Sequence, residues 1–282
     1  MERQGRNQDD DLPPALYALG SDQAERDRLR RQTEELRGHS ATLLARVRIR
    51  PGSSVIDLGC GPSGILDLLS ESVGHRGHVV GVELNPVSVA LAIEFAGTHG
   101  LANVQVIQHD ARRTGLPDAS FDLVHTRTLL INVPDPAAVL AEMHRLVRPG
   151  GWVAVMEPDS AVSMCHPPLA AWDRLTEVYL AAFRADGADP FIGRRLPELL
   201  RQADFTDIGA EAKADLIPAG HSRRAIRADL VRSMRPKIID RGIADEQELD
   251  QLDRAVRQHL ADPRTLVMPN LYFLAWGRKS AG

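Results

Sequence analysis

The stretch "VIDLGCGPSGILDLL", which begins at Val55, constrains the fold more than any other part of the chain. A short apolar run leads into Gly59, Gly61 and Gly64, and a helical pattern follows directly. A buried strand that turns on glycines into a helix is the opening unit of a parallel sheet, because parallel strands need a crossover to bring the chain back. The middle of the sequence keeps that rhythm. Strands are predicted at Ser54 to Asp57, His78 to Glu83, Val104 to Gln108, Phe121 to Thr126 and Trp152 to Glu157. Helical patterns lie between them at Ile65 to Ser72, Val87 to His99 and Pro136 to Leu146. The alternation predicts an α/β, Rossmann-like sheet with helices on both faces. Ligands of such sheets sit outside the carboxyl ends of the strands, so a site is expected in the segments after Asp57, Glu83, Gln108, Thr126 and Glu157.

The flanks are less regular. Residues 1–14 read as a disordered arm closed by Pro13 and Pro14, and 15–50 as an N-terminal helical cap with Leu29, Leu36, Leu43 and Leu44 at helical spacing. Residues 51–160 form the expected cofactor-binding core, and 161–282 carry helices, an insert at 216–268 and the final strands, including "NLYFLAWG" from Asn270. Such an insert at a sheet edge can act as a lid. It contains "HSRRAIRADLVRSMRPKIIDR", in which Ile226, Leu230 and Met234 share a helix face, so the arginines are expected on a solvated one.

A chain of 282 residues with net charge -4 has no bulk attraction to nucleic acid or to an anionic membrane. Its two cysteines, Cys60 and Cys165, are too few for a disulfide framework or a cysteine zinc site and suit a reducing cytoplasm. The amino terminus is charged and lacks an apolar leader, and no apolar run is long enough to span a bilayer. No metal site is expected, since His75 and His78 have no carboxylate or cysteine pattern to complete one.

The glycine spacing also occurs in dinucleotide sites, where a pyrophosphate sits over the turn and the helix N-terminus. Asp57, two residues before the first glycine, would repel that ligand. The same carboxylate favours S-adenosylmethionine, which has no phosphate and carries a sulfonium and an ammonium. Glu83 ends the second strand about where an acidic residue takes a ribose diol, a feature common to both cofactor classes. Asp110 and Ala111 end the third strand, where a carboxylate and backbone can meet an adenine amino edge, or else cap the following turn.

The motifs "VIDLGCGPSG", "VVGVELNP", "IQHDARRTGLPDASFDLVHTR", "LLINVPDPAAVLAEMHRLVRPGG" and "WVAVMEPD" together resemble those of the class I S-adenosylmethionine-dependent methyltransferases. The resemblance is strongest to the small-molecule branch that includes the ubiquinone and menaquinone biosynthesis C-methyltransferases, and it covers about 53–159. It implies a seven-stranded sheet whose last strand is antiparallel. It also implies that Gly59 and Gly61 line the methionine part of the cofactor, Glu83 holds the ribose, and Leu84 flanks the adenine. Asp110 and Ala111 would hold the adenine amino edge, and Thr126 would meet the cofactor amine through its backbone. Tyr17 and Gln32, in a segment similar to an N-terminal element that folds over the cofactor, are further candidate contacts. Pro62 and Ser63 depart from the usual small residues of the first motif.

Methyl transfer from a sulfonium is an in-line displacement that demands alignment and exclusion of water, so no nucleophilic side chain is required. A general base helps when the acceptor is a hydroxyl or an acidic carbon, and the candidates are His166, His125 and Tyr17. His166 in "MCHPPL" is the catalytic candidate, against the alternative of a loop histidine bonded to backbone. Tyr17, Met164, Phe183 and Phe191 are the candidate substrate contacts, with Trp172 nearby, against the alternative of core packing. The expected activity is methyl transfer to carbon or oxygen of a quinone-like or secondary metabolite. The competing readings are an NAD-dependent oxidoreductase, against which the missing Tyr-x-x-x-Lys pair counts, and an RNA or protein methyltransferase, for which no recognition module is present. The expected partner is a small-molecule substrate, with neither nucleic acid nor membrane, and the N-terminal arm gives a route to a homo-oligomer.

Overall fold

A computed structural model describes residues 23–281. In chain order it comprises α1 (Gln23–Leu44), β1 (Ser54–Leu58), α2 (Leu66–Val73), β2 (His78–Glu83), α3 (Pro86–Thr98), β3 (Val104–Gln108) and β4 (Phe121–Arg127). There follow α4 (Pro136–Leu146), β5 (Val147–Asp159), β6 (Met164–His166), α5 (Ala170–Ala185), α6 (Ile192–Gln202) and β7 (Phe205–Ala214). The remainder is α7 (Ile226–Ser233), α8 (Arg235–Asp240), α9 (Glu246–Ala261), β8 (Leu266–Met268) and β9 (Leu271–Lys279). No helix among the described residues is long and apolar enough to cross a membrane.

Seven strands form one sheet in the order β3-β2-β1-β4-β5-β9-β7, with β9 antiparallel to both of its neighbours. The predicted α/β sheet with an antiparallel last strand is therefore the observed one. Alternation along each strand splits the apolar residues between two cores. Val55, Leu123 and Ala154 face one, with Leu36 and Leu43 of α1 and Leu69 of α2. Ile56, Val124 and Val155 face the other, against α4, α5, α6 and the insert helices. Since Asp57 stands in register with His125, these two side chains share the α1 side of the central strands.

Most boundaries follow the sequence reading within a few residues. β5 begins earlier than expected, at Val147, because the "RPGG" segment is absorbed into the strand through a register shift against Phe121 and Leu123. β7 begins at Phe205 rather than at Ile208; Asp207 has a φ of 49° and the register shifts between Thr206 and Gly209, which breaks the alternation a strand would show. The two-stranded sheet of β6 and β8 has no periodicity that its three-residue strands could express.

The α3 N-terminus shows how local chemistry sets an element. Asn85 accepts hydrogen bonds from the backbone N–H groups of Val87 and Ser88 at 2.9 and 3.1 Å, and Pro86 follows in the first helical position. Asn85→Ala is expected to destabilise the protein by about 1 kcal/mol, measured by urea unfolding. An unchanged midpoint would show that the cap contributes nothing.

The insert corrects one expectation. Arg223, Arg224 and Arg227 are buried, at 5%, 5% and 1% exposure, rather than solvated. Arg224 donates to four backbone carbonyls, those of Leu260, Ile217, Asp262 and Thr265, at 2.8–3.2 Å. Arg223 lies 3.3 Å from Asp215 and 3.7 Å from Glu35. Loop carbonyls and distant carboxylates replace water around these groups, and a helical periodicity carries no sign of either.

Candidate active site

The turn after β1 is pinned from β2. The N–H groups of Gly59 and Cys60 both donate to the Val82 carbonyl, at 2.8 and 3.0 Å. Glu83, one residue on, accepts from Gly61 N at 2.9 Å through Oε2 and from Asn85 N at 2.9 Å through Oε1. Burial raises its pKa, while the N–H groups of Asn85 and Gly61 oppose the rise. Each carboxylate oxygen keeps capacity for another donor, as a diol contact requires.

Asp57 is 2% exposed, and its Oδ1 lies 2.7 Å from Nδ1 of the fully buried His125. The backbone N–H of Ile65 approaches Oδ2 at 3.5 Å. Gly64, at φ +51°, is what lets the turn close: a Cβ there would stand 2.5 Å from Oδ2 of Asp57 and 2.7 Å from the Cys60 carbonyl. The carboxylate is thus locked at the floor of an open cleft of about 390 Å³ whose wall includes Gly59, Gly61, Gln32, Arg127 and Thr128.

Arg127 ties that cleft to the helix above it, donating to Thr33 Oγ1 at 3.0 Å and Ser40 Oγ at 3.2 Å, both on α1. Thr128, with a φ of 52°, turns the chain out of β4 and donates its N–H to the Met156 carbonyl at 2.8 Å. The next turn is held by Glu157, fully buried at the end region of β5, which accepts from Leu129, Leu130 and Ile131 N–H at 2.9, 2.7 and 3.4 Å. Burial pushes the Glu157 carboxyl up to about 8 against those three donors.

A second cavity, open to solvent, shares Leu29, Gln32 and Thr128 with the first. Ile131, Phe183, Tyr179 and Leu230 make its apolar wall, and Asn132, Asn270 and Tyr272 add polar groups. Helices α1, α5 and α7 and the ends of β4, β5 and β9 therefore meet around it.

Of the residues singled out from sequence, Gln32, Asp57, Gly59 and Gly61 line the smaller cleft and Phe183 the larger cavity. Tyr17 lies outside the described residues. Thr126 is fully buried with its hydroxyl on the Leu58 carbonyl; β4 runs on to Arg127, so Arg127 and Thr128 form the cleft wall there. Leu84 is half-buried beside Glu83, and its carbonyl accepts from Gln108 at 3.2 Å. Ala111 is half-buried against the larger core. Asp110 is held by Arg112 through Nε at 3.0 Å and Nη2 at 2.6 Å; burial would raise its pKa, but the Arg112 bonds outweigh that and lower it. An adenine amino group could reach this carboxylate only by sharing it with Arg112.

His166, Met164 and Phe191 are placed elsewhere. In the β6–β8 sheet Cys165 and Val267 point inward, so the alternate residues Met164 and His166 face out and are exposed, away from both cavities. Phe191 lies between Arg184 and Arg194, whose guanidinium carbons are 4.9 and 5.5 Å from its ring centre. Trp172 is core. Sequence reading did not single out Tyr179, Asn132, Asn270 or Glu157 as functional; each sits at a strand end or on the first helix after one, the only signal they carry.

A methyltransferase-domain family model matches residues 49–186. Residues 49–186 therefore match a methyltransferase domain. The resemblance to S-adenosylmethionine-dependent enzymes read from the motifs therefore holds. The chain is 29% identical over 184 residues to demethylmenaquinone methyltransferase of Geobacillus kaustophilus, covering 59% of this chain and 76% of that one. It is 33% identical over 174 residues to an uncharacterized 37.1 kDa transposon protein of Streptomyces fradiae, covering 61% of this chain but only 49% of that protein. Against the demethylmenaquinone methyltransferase of Listeria welshimeri the identity is 31% over 133 residues, 47% of this chain and 54% of the relative. The chain thus spans about half the length of two of these three relatives. Among solved structures, a putative methyltransferase from Bacillus halodurans shares the fold with a TM-score of 0.58 at 17% identity, over 85% of this chain and 98% of that one.

Proposed function

We propose that this protein transfers the methyl group of S-adenosylmethionine to carbon or oxygen of a small molecule held in the larger cavity. The observation that carries the reading is the Asp57 carboxylate, fixed by His125 and Gly64 at the floor of the glycine cleft. Such a floor attracts an ammonium or sulfonium and repels a pyrophosphate, which separates this cofactor from NAD. When bound, S-adenosylmethionine supplies an electrophilic methyl group. The chain's own part is positional: Glu83 takes the ribose, the glycine turn admits the methionine portion, and Leu29 and Gln32 of α1 cover the passage toward the acceptor. The apolar cavity wall and the demethylmenaquinone methyltransferase relatives make a quinol the first acceptor to screen.

Calorimetric titration of wild type and Glu83→Ala with S-adenosylmethionine and, separately, NAD tests this. Binding of the sulfonium cofactor, weakened roughly 10- to 100-fold by the substitution through loss of charged hydrogen bonds, is the expected result. Binding of NAD in its place would overturn the charge argument.

A further inference from the structure

The glycine cleft carries two opposite charges that do not pair with each other. Asp57 stands in register with His125, and Arg127, two residues further along β4, projects from the same face of the sheet, just past the last residue of β1. Both line the cleft, as does Thr33 of α1, whose hydroxyl accepts from Arg127 Nη2 at 3.0 Å. Nη1 donates to Ser40 Oγ at 3.2 Å, and Nη2 also approaches the Gly64 carbonyl at 3.4 Å. A guanidinium has five N–H groups, so these three bonds leave two, that of Nε among them, without a partner among the described residues. The side chain is half-buried in the wall of an open cleft, not sealed behind it.

Among the described residues that line this cleft, the titratable groups are Asp57, Cys60 and Arg127. Burial pushes the Cys60 thiol well above its ordinary range, and the carboxylates of Asp57 and Glu83 push the same way, so it is neutral. Asp57 is held by His125, and Asp67, the next carboxylate that acts on Arg127, is paired with Arg37. Arg127 has two hydroxyls and a carbonyl as partners and no carboxylate within ion-pair distance among the described residues. Hydroxyls orient a guanidinium without neutralising it. Burial lowers its pKa, and the charge of Asp57 opposes the fall. One carboxylate and one guanidinium in the same wall, each held by other groups, are arranged to receive a zwitterion.

Resting on the methyl-transfer reading, we propose that Arg127 binds the α-carboxylate of S-adenosylmethionine, and that Asp57 and Arg127 together select a cofactor that ends in an amino acid. Asp57 takes the ammonium, Arg127 the carboxylate, and Gly59 and Gly61 of the same wall admit the chain that joins this end to the sulfur. A pyrophosphate could use Arg127 but would meet Asp57 beside the same glycines, whereas a zwitterion uses both charges. Thr33 and Ser40 hold the guanidinium on the α1 side of the cleft. Arg127 is a binding residue, so its loss is read in cofactor affinity and not in the methyl-transfer step.

The test compares S-adenosylmethionine with its decarboxylated form, which keeps the sulfonium and the amine but lacks the carboxylate, by calorimetric titration into the full chain. Wild type is expected to bind S-adenosylmethionine roughly 10- to 100-fold more tightly, as charged hydrogen bonds provide. Arg127→Gln can still donate to the Thr33 and Ser40 hydroxyls but carries no charge, and it should bind the two forms alike. Arg127→Lys should keep part of the preference. An arginine that only tied α1 to the sheet would lower both affinities together, so a preference that survives intact in Arg127→Gln overturns the proposal. Equal binding of the two forms to wild type overturns it as well, even if the variants fail to fold, and leaves the methyl-transfer reading standing. If neither form binds wild type, that reading falls together with the assignment of Arg127.

Discussion

Gly64→Ala is expected to lower stability by roughly 3 kcal/mol and to reduce S-adenosylmethionine affinity by about 10- to 100-fold. Two costs combine: a left-handed backbone for a residue with a Cβ, and a Cβ pressed to 2.5 Å from Asp57 Oδ2 and 2.7 Å from the Cys60 carbonyl. Neither neighbour is the loose end of a flexible chain, since Asp57 is held by His125 at 2.7 Å. The displaced carboxylate no longer presents its charge to the cleft. Gly61→Ala is the control, with φ +59° but nothing within 4 Å of the added atom, and should lose only about 1 kcal/mol. Urea unfolding and calorimetry of both variants decide the matter; equal losses in the two would mean that backbone strain alone, not the Asp57 contact, makes glycine necessary at residue 64.

Glu157 gives the protein a stability that declines with alkalinity. The group ionises near its ordinary 4.5 in the unfolded chain and at about 8 in the fold. Between those values the folded state holds the extra proton, so this group's contribution is fully present below about 4.5 and is lost as pH rises toward 8. Glu157→Gln cannot ionise and still offers Oε1 to Leu129 and Leu130 N–H. The unfolding free energy of the variant minus that of wild type should therefore rise by a few kcal/mol between pH 5 and pH 9. Parallel pH profiles would show that the carboxyl does not titrate in this window.

The sheet was legible because its strands carry their own period and its turns their own residues. Three strand ends, Asp57, Glu83 and Gln108, were placed to within one residue, since a carboxylate or amide interrupts each apolar run where the strand stops. The residues proposed to hold the cofactor lie at those ends. The acceptor half was harder to read. Asn132, Tyr179 and Asn270 come from three separate stretches of the chain, and nothing local marks an asparagine or a helix tyrosine as part of a wall. The buried arginines were read as solvated because helical spacing distinguishes faces, not what lies opposite them. His166 and Met164 stand apart from both cavities for a related reason: two strands of three residues pair with each other, Met164 with Met268 and His166 with Leu266, across the 99 residues between His166 and Leu266, and a pairing at that distance leaves no trace in either strand's own composition.

The strand order also sets the sequence of events as the chain is made. β9 lies between β5 and β7, yet it is the last of the seven to be synthesised. Until residue 271 emerges, β5 presents an open row of backbone donors and acceptors on one side, and β7 has no strand to pair with. Five parallel strands can assemble early around the cofactor half, while the wall of the acceptor cavity that includes Asn270 and Tyr272 must wait. On that order the residues proposed for the cofactor can come together before those proposed for the acceptor, and until β9 arrives the unguarded β5 edge is open to pairing with another chain.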